Sequence, residues 1–246
     1  MTLEEWLGCE NEEALWHELA RFGDRPLRLF ACACLRRVWP LLPAESWREA
    51  VEASEQYADG RLREADLLDA WSKAELETAE GFWIGRNSSW LAAYGCDCPG
   101  CQRNYEASLL VEMRDAVQQC DWMAAKAAFY AANLVAWEAE PRRREKARVA
   151  ERQAQYPLFC DILGKPARTH FDPAWLRWNQ GCVKKMARVI SRNGQFADLP
   201  ILADALEEAG CASEAILSHC RREKTHVRGC WVLDGLLEIG FTPGCP

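Results

Sequence analysis

Residues 121–138 read DWMAAKAAFYAANLVAWE, an alanine-rich stretch that is apolar on nearly every side at helical period. A helix of this kind has no polar face to offer water, so it is stable only where other helices surround it. The rest of the chain supplies them. Thr2 with Glu5 three residues on forms a capping-box pattern. Asp24 with Pro26 opens one helix, and Asp172 with Pro173 pairs a capping side chain with a proline suited to a first turn. Gly23, Gly60, Gly194 and Gly210 each follow a periodic apolar segment and mark its end, and Gly210 stands where a left-handed cap is wanted. Between these marks Leu27, Phe30, Ala31, Cys34, Leu35 and Val38 make one face, and Trp47, Ala50, Val51 and Ser54 make another. Alternating β-branched runs are missing. The expectation is an all-α fold: an irregular multi-helix bundle with a C-terminal lobe of three to four helices.

Two breaks divide the chain. From Gly81 to Asn104 the periodicity lapses into GFWIGRNSSWLAAYGCDCPGCQRN, interrupted by three glycines besides Gly81 and by Pro99. Residues 164–169, GKPART, form the best internal linker. The expected arrangement is an N-terminal helical bundle over 1–163, with a cysteine-containing loop at 81–104, and a C-terminal helical lobe over 170–246 packed on it. In that lobe Leu199, Leu202 and Leu206 face inward in one helix. Ser213 opens the next, with its hydroxyl as cap, and a third is expected from about His226 to Glu238.

At 246 residues the chain is long enough to bury a sizeable core. Its 12 tryptophans then call for buried indoles whose N–H groups find acceptors. The 13 cysteines, scattered through helical segments, read as small apolar core residues kept reduced, not as a disulfide framework. The formal charge of −7 opposes non-specific attraction to nucleic acid or an anionic membrane. No apolar run reaches the roughly 20 residues that span a bilayer. The first residues are acidic, without a basic leader, so a cytoplasmic location is expected. The arginine-rich segment RRREKARVAERQAQ carries interspersed glutamates and no alternating aromatics, which reads as a solvated helix face.

Three sets of residues could carry chemistry. A cysteine nucleophile needs a histidine base and a group that orients it. His226 and Cys230 stand at i and i+4 and would share a face if one helix holds both, with Asp234 a turn further on to orient or balance them. Cys211, His219, Cys220, His226 and Cys230 contain enough ligands for zinc, but they lack knuckle spacing and depend wholly on tertiary placement. Cys96, Cys98 and Cys101 include one C-x-x-C and would need a fourth ligand from elsewhere, so they read as ordinary loop thiols, with zinc as the alternative. The chain contains no G-x-G-x-x-G after a strand, no H-E-x-x-H and no G-x-S-x-G.

The segments LRLFACACLRRVW, FDPAWL, LPILADALEEAGC and HVRGCW resemble those of a large paralogous family of planctomycete proteins, over residues 1 to about 80 and about 145 to 240. The resemblance implies a helical cytoplasmic protein and carries no catalytic residues over. The expected function is that of a non-enzymatic helical protein-interaction or regulatory protein whose partner is another protein, with no resident cofactor apart from the zinc alternative. A zinc-stabilised domain that binds nucleic acid is the alternative reading, and an enzyme using Cys230 with His226 is a third.

Overall fold

The computed structural model describes residues 1–9, 12–19, 22–42, 45–82, 120–164, 169–222 and 225–239. The protein is an all-helical bundle with a C-terminal cluster of helices, and the described residues contain no strand. The chain divides into two compact units, Met1–Tyr156 and Pro157–Pro246.

In the first unit α1 (Leu3–Gly8) begins with the expected capping box: the Glu5 amide donates to Thr2 Oγ1 at 3.2 Å, and the Thr2 amide donates to Glu5 Oε2 at 2.6 Å. It is followed by α2 (Glu12–Leu19), α3 (Asp24–Arg37), α4 (Glu45–Ala58), α5 (Glu64–Phe82) and α6 (Cys120–Glu138). The apolar helix α6 packs against α2 and α3, which accounts for an alanine surface: Ala127, Ala128, Ala131 and Ala132 are all buried, and small side chains let helices approach closely. Trp6, Trp47 and Trp71 are core residues of this unit. Trp6 donates to the Arg152 carbonyl at 2.8 Å, Trp71 donates to Ser54 Oγ at 3.0 Å, and Trp47 meets Trp71 edge-to-face at 5.9 Å.

Helix α7 (Arg144–Ile162) departs from its reading as a solvated face. Its first turns are largely exposed, but Glu151, Arg152 and Gln155 are buried. Glu151 takes a two-point ion pair from Arg37, at 2.7 and 3.0 Å. The Arg152 guanidinium lies over the Trp6 and Phe129 rings and donates to the Trp6 carbonyl at 2.5 Å. Periodicity counts such residues as polar and assigns them to water, whereas a carboxylate with an ion-pair partner, or a guanidinium with aromatic faces and a carbonyl acceptor, can be buried.

The second unit takes the end of α7 and adds α8 (Pro173–Asn193), α9 (Leu199–Glu208), α10 (Glu214–Arg221) and α11 (Trp231–Leu237). Asp172 caps α8 through its carboxylate, which accepts from the Ala174 amide at 2.8 Å. Helix α8 is broken between Trp178 and Gly181, where Asn179, Gln180 and Gly181 all have positive φ. Its two halves carry Trp175 and then Val183, Ala187 and Ile190 into one core with Leu202, Leu206, Ile216, Cys220, Trp231 and Leu236. Gly210, at φ 93°, ends α9 as expected, whereas Ser213 occupies the cap position of α10 without a hydroxyl hydrogen bond. Helix α11 starts five residues later than its apolar spacing suggests, because Gly229 at φ 91° turns the chain first. Gly235 of α11 lies against the Phe171 ring so closely that a methyl group would overlap it. No helix among the described residues is long and apolar enough to cross a membrane.

Candidate metal centre

The end of α7, the end of α10 and the turn before α11 meet in the second unit. They bring together Asp161, His219, His226 and Cys230, whose ligand atoms all lie within 4.8 Å of one another. This is a His/Cys/Asp cluster capable of coordinating a metal ion.

Asp161 is its hub. It stands in the last turn of α7, where the helix dipole disfavours a negative charge, so the carboxylate requires compensation from outside the helix. His226 Nδ1 donates to Asp161 Oδ1 at 2.6 Å, His219 Nε2 lies 3.1 Å from the same oxygen, and the Val227 amide donates to Oδ2 at 2.9 Å. Burial by itself would raise the Asp161 carboxyl, but hydrogen bonds from His219, His226 and the Val227 amide outweigh it and hold the group below its ordinary value of 3.8. The carboxylate is therefore ionised, and both imidazoles present N–H groups to it.

Trp231, the first residue of α11, fixes one tautomer. Its indole N–H can only donate and lies 3.0 Å from His219 Nδ1, so Nδ1 is the acceptor and the His219 proton sits on Nε2. Nε2 is also 3.3 Å from Cys230 Sγ. The imidazole is sandwiched in ring contacts, with the Trp231 centroid at 4.8 Å and the His226 centroid at 5.0 Å. His226 Nε2 is buried and has no hydrogen-bond partner among the described residues.

Cys230 is fully buried, and burial followed by the Asp161 charge pushes its thiol well above the ordinary value of 9.0. Burial likewise pushes the Cys220 thiol up to about 12.

Of the residues expected from sequence, His219, His226 and Cys230 converge. The pairing of His226 with Cys230 does not come from a shared helix, since His226 precedes α11, but from their common approach to Asp161 and His219. Asp234 lies inside α11 and is not among the converging groups; the acid beside His226 is Asp161. Cys211 and Cys220 are buried in the core of the unit and also stand outside the cluster. Cys96, Cys98 and Cys101 lie outside the described residues.

Asp161 is the member that spacing did not find. Its signal was a carboxylate in the last turn of a helix among Leu158, Phe159, Ile162 and Leu163, a place where an acid without a partner would be unfavourable. No protein-family model, curated protein or solved structure matches the chain.

Proposed function

We propose that the chain is a non-enzymatic helical protein of interaction or regulatory type, in which the Asp161 cluster serves the fold of the C-terminal unit and not turnover. The burial of Cys230 carries this reading. A nucleophilic cysteine is accessible and has a lowered pKa, next to a cationic group or a base. Cys230 is enclosed, faces a carboxylate and has its thiol raised. Alkylation with iodoacetamide followed by peptide mass spectrometry tests it: Cys230 stays unmodified in the folded protein and reacts after denaturation. Selective, rapid labelling of Cys230 in the native protein would favour the enzyme reading instead.

The interaction half rests on the outer side of α8. Lys185, Arg188, Val189 and Arg192 are all exposed and stand at i, i+3, i+4 and i+7, opposite the buried row Val183, Ala187 and Ile190. An exposed valine, with 49% of its surface open to water, set among basic side chains suits an acidic protein surface. Arg188→Glu combined with Arg192→Glu should leave the helical circular dichroism unchanged and abolish quantitative co-purification of the protein's partner from its own cells. Undiminished co-purification removes this face from the reading. The alternative of a zinc-stabilised domain is favoured by the cluster, while a net charge of −7 counts against nucleic acid as its ligand.

A further inference from the structure

We propose that Asp161, His219, His226 and Cys230 bind one divalent ion of the zinc class through a carboxylate oxygen, two imidazole nitrogens and a thiolate. The distances are close to those required. Tetrahedral zinc, with bonds of roughly 2.0 to 2.3 Å, sets its ligand atoms roughly 3.3 to 3.7 Å apart. In the cluster Asp161 Oδ1 is 2.6 Å from His226 Nδ1 and 3.1 Å from His219 Nε2, His219 Nε2 is 3.3 Å from Cys230 Sγ, and no separation exceeds 4.8 Å. These values bracket the tetrahedral edge, so the ion enters with shifts on the order of an ångström.

Donor chemistry selects the ion. Two imidazoles and a sulfur suit borderline-soft zinc, whereas calcium and magnesium take all-oxygen sites. The charge also balances. The ion takes its place as Cys230 loses its thiol proton to solvent, and a dication then offsets one thiolate and one carboxylate, which leaves a neutral centre. A neutral centre suits a buried location far better than an isolated charge. His226, whose second ring nitrogen is buried and has no partner among the described residues, can turn its tautomer to the ion without giving up another contact.

His219 cannot do so freely. For Nε2 to ligate, its proton must move to Nδ1, where it would meet the Trp231 indole N–H, and two donors cannot share a hydrogen bond. Ion binding and the Trp231–His219 hydrogen bond therefore exclude each other, and the indole acts as a brake on affinity. Trp231→Phe, which keeps the aromatic packing and removes the donor, should bind the ion about tenfold more tightly, the equivalent of one modest buried hydrogen bond.

The test uses the full chain carrying Cys98→Ser and Cys101→Ser, so that the cysteine loop contributes no complete knuckle. Elemental analysis after purification without added metal should give one equivalent of zinc. After treatment with a chelator, titration with cobalt(II) should give the intense visible bands of a tetrahedral ion together with a thiolate-to-cobalt charge-transfer band. Adding Cys230→Ser should remove the charge-transfer band, and adding His226→Ala should remove the ion. Circular dichroism shows whether each variant is folded, and the cobalt spectrum of the unsubstituted cluster reads the thiolate even if a variant does not fold. Absence of zinc together with absence of the cobalt bands would overturn the proposal. So would a charge-transfer band that a folded Cys230→Ser variant keeps, an ion that a folded His226→Ala variant retains, or an ion that vanishes on replacing the loop cysteines alone. Unchanged affinity in folded Trp231→Phe would remove His219 from the ligand set and overturn the four-residue assignment.

Discussion

Asp161→Ala should lower the unfolding free energy of the C-terminal unit by about 3 to 5 kcal/mol, the range found when one partner of a buried charged network is removed. Asp161 is 3% exposed, and its carboxylate accepts hydrogen bonds from three groups, one on α10 and two on the segment before α11. Without it the His226 and His219 N–H groups and the Val227 amide are left in a dry interior, and each unfilled donor costs about 1 to 3 kcal/mol where the structure cannot relax. Asp161→Asn should cost less, because an amide oxygen still accepts from the imidazoles while its NH2 opposes the Val227 amide. Urea denaturation followed by hydrogen exchange resolved between the two units measures both, and equal midpoints for wild type and Asp161→Ala would show that the network contributes nothing. The pH dependence has a definite sign. A carboxyl whose folded pKa lies below its ordinary value stabilises the protein above 3.8, and this contribution is lost as pH falls through the folded value. The gap between chelator-treated wild type and Asp161→Asn should therefore narrow on acidification below 3.8.

Trp231→Ala should cost about 3 to 5 kcal/mol as well, by a different route. The indole is 6% exposed in the core of the C-terminal unit, meets Phe171 edge-to-face at 6.3 Å and lies against the His219 ring. Truncation leaves a cavity and removes the donor that fixes the His219 tautomer. Trp231→Phe separates these contributions in metal-free protein. It keeps most of the packing and loses mainly the hydrogen bond, a loss of about 1 kcal/mol beyond the smaller ring's packing deficit. A Trp231→Ala protein that melts with the wild type would show that the residue is a surface feature.

These two residues also mark what could be read from the sequence. Trp231 falls among apolar residues of the helix expected from about His226 to Glu238, so its place in the core was legible. The packed alanine surface of α6, the caps at Thr2 and Asp172 and the turn at Gly210 were legible because each depends on side chains a few positions apart. The site was legible in part. His219, His226 and Cys230 stand out as ligand-type residues in one short stretch, but which of them meet was decided by Gly229, whose left-handed turn delays α11 and sets His226 in a loop. Cys220 neighbours His219 on α10, points elsewhere and packs into the core. Asp161 could not be paired with them by spacing, because its partners come from another part of the chain and only folding makes them neighbours. The buried side of α7 was hidden for a related reason: Glu151 and Arg152 count as hydrophilic until Arg37 and Trp6 are placed against them.

The contact between Gly235 and Phe171 ties two distant positions into one unit of sequence change. A larger side chain at 235 has no room while phenylalanine occupies 171, and a smaller residue at 171 would leave Trp231 without its edge-to-face neighbour. Drift at either site is thus conditional on the other, so divergent copies of this C-terminal unit would exchange the two together or keep both.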